Sequence, residues 1–313
     1  MTEQFSIAIH GGAGTIERSK MDSELEASIK SALQAAVKAG YDLLAKGESA
    51  VDAVVAAVKV LEDSPHFNAG KGSVLTHNEM VEMDASVMCG KQLEAGAVAG
   101  VRHIRNPVTL ARDVMQKSDH VFLIGEGAES FAFEQGHVFT EQDYFFTDRR
   151  YEQLQTMKSQ GRFALSEAKY PDDKKFGTVG AVALDQHGNL AAATSTGGIT
   201  NKKYGRVGDS PVIGAGNYAK NNVVAVSATG MGEAFLRHCV SHDIAARMQY
   251  LQQPMAQACD TVIHGELLTH GGEGGLIAID AEGDVHFAMN SSGMYRAKMT
   301  SSGQVEVKIF ASE

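Results

Sequence analysis

The chain has 313 residues, 43 % of them hydrophobic, and a formal net charge of −10. This length can bury one large core or two, and the acidic balance excludes a general nucleic-acid surface because phosphates would be repelled. The start, Met1-Thr2-Glu3-Gln4-Phe5-Ser6, has no basic stretch followed by an apolar run, and no segment reaches membrane-spanning length. Cys89, Cys239 and Cys259 are odd in number and lack C-x-x-C spacing, so they read as buried thiols of a cytoplasmic protein.

Residues 6–9 form a short apolar strand that runs into His10-Gly11-Gly12-Ala13-Gly14. This glycine motif lacks the spacing of a dinucleotide fingerprint and the lysine of a P-loop. Ser23 with Glu26 reads as a capping box, followed by Leu25, Ile29, Leu33, Val37 and Leu44 at helical spacing until Gly47. Ser49 caps a second helix with Val51, Val54, Val55, Val58 and Leu61 on one face, and the two helices are expected to lie on a sheet. The stretch Ser64-Pro65-His66-Phe67-Asn68-Ala69-Gly70-Lys71-Gly72 breaks that helix. Residues 81–88 and 95–101 read as strands joined by a Gly90-Lys91 turn, and Pro107 opens a helix to Lys117. Residues 120–130 read as a strand, a glycine turn and a helix. Ser130 stands where a dinucleotide fingerprint has its third glycine, which favours a tight turn over nicotinamide binding. A helix at 148–157 and a polar linker at 158–175 follow.

At Lys175-Phe176-Gly177-Thr178-Val179-Gly180-Ala181-Val182 the chain passes from charged linker to apolar strand. A threonine beginning a buried strand is ordinary in itself. If the Gly177–Thr178 bond were cut, however, Thr178 would carry a hydroxyl nucleophile and an α-amine base on one residue. Such an amine titrates near 7.7 to 8.0, roughly matched to neutral pH. Residues 180–185 and 190–196 form a hairpin, and Gly275, Asp280 and Gly283 echo Gly180, Asp185 and Gly188 at an offset of 95 residues. Such an echo suits adjacent antiparallel sheet. Between the hairpins come a strand at 223–229 and helices at 232–250 and 255–268. Strands and helices thus cluster on both sides of the linker, which makes the fold class α+β.

Several residues bear chemistry. Thr229-Gly230 follows a strand and precedes a helix, so a hydroxyl and backbone N–H groups could converge on an oxyanion there; the alternative is a capped turn. Arg206 and Asp209 either pair with each other at the surface or grip the carboxylate and ammonium of an amino acid. His238 and His242 have metal-pair spacing, but no glutamate of the H-E-x-x-H kind and no third ligand accompany them, so they read as helix histidines. No G-x-S-x-G elbow supports a serine triad.

The segment G-T-V-G-A-V-A-L-D resembles the threonine-nucleophile segment of the plant-type asparaginase and isoaspartyl peptidase family, N-terminal-nucleophile hydrolases. The resemblance spans nearly the whole chain, through His10 to Gly14, Phe67-Asn68-Ala69-Gly70, Thr194-Ser195-Thr196-Gly197-Gly198, Arg206-Val207-Gly208-Asp209-Ser210-Pro211 and Thr229-Gly230-Met231-Gly232-Glu233. It implies a four-layer αββα sandwich cleaved between Gly177 and Thr178 into chains 1–177 and 178–313, associating as a dimer of αβ units, a heterotetramer. The implied activity is hydrolysis of β-aspartyl dipeptides and L-asparagine without an organic cofactor, a nucleic acid or a membrane. Thr178 is the implied nucleophile, with Thr196 polarising its hydroxyl, Asn68 positioning its amine, and Thr229 and Gly230 binding the oxyanion. Substrate binding is implied for Arg206, Val207, Gly208, Asp209, Thr229, Gly230, Met231 and Gly232. The main-chain carbonyls of Leu61, Glu62, Ser64, Phe67, Ala69 and Lys71 are the implied ligands of a structural sodium. Two rivals stand beside this reading. In glycosylasparaginase an aspartate usually precedes the nucleophile, where this chain has Gly177. An uncleaved, non-catalytic ligand-binding homologue would run on a denaturing gel as one band near 33.3 kDa.

Overall fold

The computed structural model describes residues 4–160 and 177–313. Its first elements are strand β1 (Ser6–Gly14), helices α1 (Ser23–Leu44) and α2 (Ala50–Glu62), strands β2 (Met83–Cys89) and β3 (Glu94–Val101), and helix α3 (Pro107–Lys117). Strand β4 (Phe122–Ile124), helices α4 (Gly125–Glu134) and α5 (Asp148–Ser159), and strands β5 (Val179–Leu184), β6 (Leu190–Thr196), β7 (Asn217–Lys220) and β8 (Val224–Gly230) follow. Helices α6 (Gly232–His238), α7 (Val240–Leu251) and α8 (Met255–Asp260) lead to strands β9 (Gly274–Asp280), β10 (Val285–Met289), β11 (Gly293–Thr300) and β12 (Val305–Phe310). Of the linker expected at 158–175, Lys158 and Ser159 end α5 and residues 161–175 lie outside the described residues.

The strands form two sheets, one of eight in the order β12-β11-β1-β5-β6-β2-β3-β4 and one of four in the order β10-β9-β8-β7. Pairing is antiparallel except between β3 and β4, which α3 connects as a parallel crossover. One apolar cluster fills the space between α1, α2, α3 and the large sheet, with Leu33, Val54, Leu61 and Ile9 fully buried. A second lies between the two sheets, through Val182, Ala192, Ala225 and Ile277. A third joins Val226 and Leu276 of the small sheet to Phe235, Ile244 and Val262. The fold is mixed α and β, and no helix among the described residues is long and apolar enough to cross a membrane.

Four expectations change. The helix-capping oxygen of α1 comes from Asp22, which accepts from the Leu25 N–H at 2.7 Å, so Ser23 is the first helical residue and makes no capping box. A carboxylate also complements the positive helix end better than a hydroxyl. The helix expected at 232–250 is two helices, broken where Cys239 adopts left-handed backbone with φ 46°. The helix at 255–268 winds as a π-helix from Thr261 to Leu267. Finally, the echoing hairpins are not neighbours in one sheet: β5–β6 belongs to the large sheet and β9–β10 to the small one.

Candidate active site

Thr178 is buried at the head of β5, one residue before the ladder with β6 begins at Val179 and Ser195. Its Oγ1 lies 3.2 Å from Thr196 Oγ1 at the end of β6 and 3.5 Å from Ser210 Oγ. Thr196 Oγ1 also accepts the Gly198 N–H at 3.0 Å, so its lone pairs are drawn toward the loop and its hydroxyl is fixed beside Thr178. The antiparallel register brings these two hydroxyls together, because adjacent strand ends put facing residues within about 5 Å.

Asn68 lies where the α2–β2 loop meets this point. Its backbone N–H donates to the Gly177 carbonyl at 3.1 Å, and its own carbonyl accepts the Gly197 N–H at 3.0 Å. Its side chain donates to the Gly198 carbonyl and accepts from the Val74 N–H. A Cβ at position 177 would overlap the Asn68 side chain, so glycine is required by close approach. In the same loop Leu61 O accepts from Ser64 N–H, Ala69 O accepts from Gly72 N–H, and Gly70 and Gly72 leave no room for a Cβ against the Glu62 and Phe67 carbonyls. Among the described residues no group of three His, Cys, Asp or Glu could hold a metal. His238 and His242 fall on separate helices, His238 against His270 and His242 edge-on to Tyr218.

Thr229 and Gly230 end β8, and Thr229 Oγ1 accepts from the Ala13 N–H at 3.3 Å. α6 opens immediately after Met231, whose N–H donates to the Glu273 carbonyl. Arg206 and Asp209 do not form the surface pair that their spacing allowed. Arg206 instead donates from Nε and Nη2 to the two carboxylate oxygens of Glu233 at 2.8 and 2.9 Å. Asp209 is buried; its backbone carbonyl accepts from Val212 and Gly216 N–H groups, while its Oδ2 has no partner among the described residues. Burial pushes its carboxyl up to about 7, with the Arg206 charge opposing that rise. Gly232 brings the two together, since a Cβ there would lie 2.7 Å from Arg206 Nη2 and 3.0 Å from Asp209 Oδ1. Val207 and Gly208 complete this turn, and Gly208 has room only for the guanidinium beside it.

Three contributors carried no role in the sequence reading. Glu233 stood in the Thr229-Gly230-Met231-Gly232-Glu233 motif, and an acidic residue in the first turn of a helix was a signal for a cation partner. Ser210 followed Asp209 directly. His10 headed the glycine motif but lies far in sequence from Thr178, so only the fold could join them.

The buried hydroxyls of Thr178, Thr196 and Ser210, with the buried Asp209 carboxylate next to Ser210 in the chain, make this a candidate enzyme site. The family profile described as asparaginase matches residues 3–309, and the chain belongs to that family. It is 55 % identical to the isoaspartyl peptidase of Escherichia coli (strain K12) over 293 residues, 93 % of this chain and 91 % of the relative. It is 54 % identical to the isoaspartyl peptidase of Salmonella typhimurium, across 93 % of this chain and 94 % of that one. The isoaspartyl peptidase/L-asparaginase of Xenopus laevis is 45 % identical, across 89 % of this chain and 86 % of the relative.

Proposed function

We propose that this chain hydrolyses β-aspartyl dipeptides and L-asparagine to release L-aspartate, after maturing by self-cleavage at Gly177–Thr178. The observation that carries the reading is the buried Asp209 carboxylate, whose Oδ2 has no partner among the described residues and whose Oδ1 flanks Gly232 together with the Arg206 guanidinium. A buried carboxylate oxygen without a donor is costly, and the α-ammonium of an amino acid would satisfy it while Arg206 takes the α-carboxylate. With the α-groups so held, only the β-carbonyl is free to face Thr178.

In maturation, Thr178 Oγ attacks the Gly177 carbonyl, the C–N bond gives way to an ester, and water opens the ester to leave a free α-amine. Asn68 supports this step through its N–H on the Gly177 oxygen. In turnover, the α-amine takes the hydroxyl proton as Oγ attacks the β-carbonyl. Thr229 and Gly230 supply donors to the oxyanion, and the amine leaves with that proton. Water then releases aspartate from the acyl-enzyme. Chains 1–177 and 178–313 remain associated, because β5 and β6 lie between β1 and β2 of the other half and separating them would expose buried strand faces. The three apolar clusters support a four-layer αββα order, and a dimer of αβ units is the assembly in keeping with the family. The main-chain carbonyls of Leu61, Glu62, Ser64, Phe67, Ala69 and Lys71, which the family resemblance marks as ligands, would hold a sodium ion that stiffens the loop presenting Asn68. Three free thiols suit a reducing, cytoplasmic compartment.

Mass spectrometry of the purified protein, with product analysis on β-Asp-Leu, α-Asp-Leu and asparagine, tests the reading. Two chains and cleavage of β-Asp-Leu but not α-Asp-Leu are expected. In an α-linked peptide the carboxylate is consumed, Arg206 faces an uncharged carbonyl, and a displacement of about 1 Å costs on the order of 10²-fold. Comparable rates on both peptides overturn the head-group assignment.

A further inference from the structure

We infer that His10 is a positioning residue for the nucleophile: its imidazole holds the Thr178 carbonyl and so sets how the Thr178 hydroxyl and amine face the substrate. This rests on the threonine-nucleophile reading above. His10 is fully buried, with Nδ1 3.0 Å from the Thr178 carbonyl and Nε2 2.9 Å from Ser227 Oγ.

The strand ladders explain why such a hold is needed. β5 pairs with β1 only from His10 and Gly180 onward, and with β6 only from Val179 and Ser195 onward. Just past His10 the register of β1 on β11 shifts; β1 stays paired with β11 to Gly14 but no longer pairs with β5, and Ala13 donates to Thr229 of the small sheet. Thr178 therefore lies beyond both ladders, and once the bond before it is cut it is the first residue of its chain. A free chain end frays unless something ties it down. The imidazole supplies a tie at the carbonyl, one bond from the Cα that bears the amine and, through Cβ, the hydroxyl.

The ring is itself held in one state. A carbonyl can only accept, so Nδ1 carries the proton and Nε2 accepts from the Ser227 hydroxyl. Burial lowers the His10 pKa to about 3, so the ring is neutral at working pH and has a single proton to place. With the Ser227 proton on Nε2, the Thr194 hydroxyl donates to Ser227 Oγ at 2.7 Å, and the Gly216 and Ala193 carbonyls are the neighbouring acceptors at 3.1 and 3.2 Å. The network thus spans β1, β6 and β8 and bridges the two sheets.

Gly180 is the independent sign that space was made for this bond. It stands between His10 and Thr194 in the ladders, and a Cβ there would overlap both Ser227 Oγ and His10 Nε2. The glycine in the middle of an otherwise fully buried β5 costs intrinsic strand stability, and its neighbours show what occupies the place of its side chain.

Asparagine and glutamine separate the two ring nitrogens. The amide nitrogen of asparagine is as many bonds from Cα as Nδ1 and can still donate to the Thr178 carbonyl, whereas glutamine reaches the Nε2 position. Kinetics on β-Asp-Leu should be measured on fully matured His10→Asn and His10→Gln protein, with maturation checked by mass. His10→Gln should lose about 30- to 100-fold in kcat with KM within about twofold, because Arg206 and Asp209 still anchor substrate while the nucleophile is misplaced. His10→Asn should recover kcat to within about fivefold of the parent. Equal losses in the two variants, no loss in either, or a KM that rises as kcat falls would each overturn the inference. Thr178→Ala keeps the two questions apart: if that variant stays active, the nucleophile reading itself has failed, whatever His10 does.

Discussion

In the β5–β6 hairpin Asp185 Oδ1 accepts from the His187 and Asn189 N–H groups, and in β9–β10 Asp280 Oδ1 accepts from Glu282 and Asp284 in the same pattern. Gly188 and Gly283 take φ of 77° and 82° at matching positions, where left-handed backbone favours glycine. The turns are equivalent; their surroundings are not. Asp185 is buried and its Oδ2 also receives the Ala50 N–H at the start of α2, whereas Asp280 is only partly buried. β5 is enclosed by β1 and β6 in the large sheet, while β10 is an edge strand with a half-exposed face. At the head of β5 stands Thr178, held by His10 and Thr196; at the equivalent place before β9 stands Glu273, whose carbonyl accepts from Met231. Local sequence therefore builds the hairpin, and what packs against its first residue decides whether chemistry can occur there.

The sharpest break in this comparison is at the hairpin heads. Thr178→Ala should stay a single chain near 33.3 kDa and lose hydrolysis by at least about 10³-fold, while Glu273→Ala should mature and retain activity within about threefold. A denaturing gel with an aspartate-release assay reads both; efficient cleavage of the alanine variant at the same bond would sink the mechanism.

Arg206 lies in the segment between the two hairpins, and its substitution tests whether that segment holds substrate or merely closes the surface. Arg206→Ala should cut kcat/KM on the order of 10²- to 10³-fold yet still mature, since no substrate takes part in self-cleavage. A surface ion pair is worth at most about 1 kcal/mol, so normal hydrolysis by the matured variant would show the Arg206–Glu233 pair to be structural only.

The turns themselves should differ in worth. Asp185→Ala removes several bonds to a buried carboxylate and the contact to α2, and should cost about 3 kcal/mol in urea unfolding, or roughly 10²-fold in the folding equilibrium. Asp280→Ala should cost about 1 kcal/mol or less. Equal losses would mean that the environment contributes nothing beyond the turn.

The smallest effect expected is in pH dependence. Burial raises Asp209 to about 7, so the carboxylate that receives the ammonium is lost as pH falls through that value. KM should rise about tenfold from pH 8 to pH 6 through this group. For stability the sign is opposite. The folded state binds this proton more tightly than the unfolded chain, so folding weakens as pH rises from 3.8 toward 7. Asp209→Asn should therefore flatten the KM profile and gain stability relative to the parent at pH 8 but not at pH 4. Urea midpoints at the two pH values check this.

Local pattern was enough for much of the fold. Helices α2 and α3 begin where Ser49 and Pro107 indicate, because a capping oxygen and a preset φ act within one turn. Strands β2, β3, β5 and β6 followed from apolar runs bounded by turn residues. The break at Cys239 was not read from sequence: the basic Arg237 and His238 in the last turn are only a weak stop signal without a following glycine, and α7 starts with its Ser241 and His242 N–H groups on the Ala215 and Gly214 carbonyls, contacts that only the fold brings about.

The candidate site divides in the same way. Thr178, Thr229, Arg206 and Asp209 could be singled out because their residue types and places in the chain carry chemistry, whereas Thr196 and Asn68 entered only through the family resemblance of the motifs around them. Which groups surround them was decided by strand order. Placing β5 between β1 and β6 puts His10 and Thr196 on Thr178, and laying β8 across from them brings in Ser227 and Thr229. The choice of Glu233 over Asp209 as the ion partner of Arg206 is likewise tertiary, set by where α6 starts after β8. Spacing along the chain limits which residues can meet within a turn or a hairpin; contacts across 168 residues, such as His10 to Thr178, exist only once β1 and β5 have paired in the large sheet.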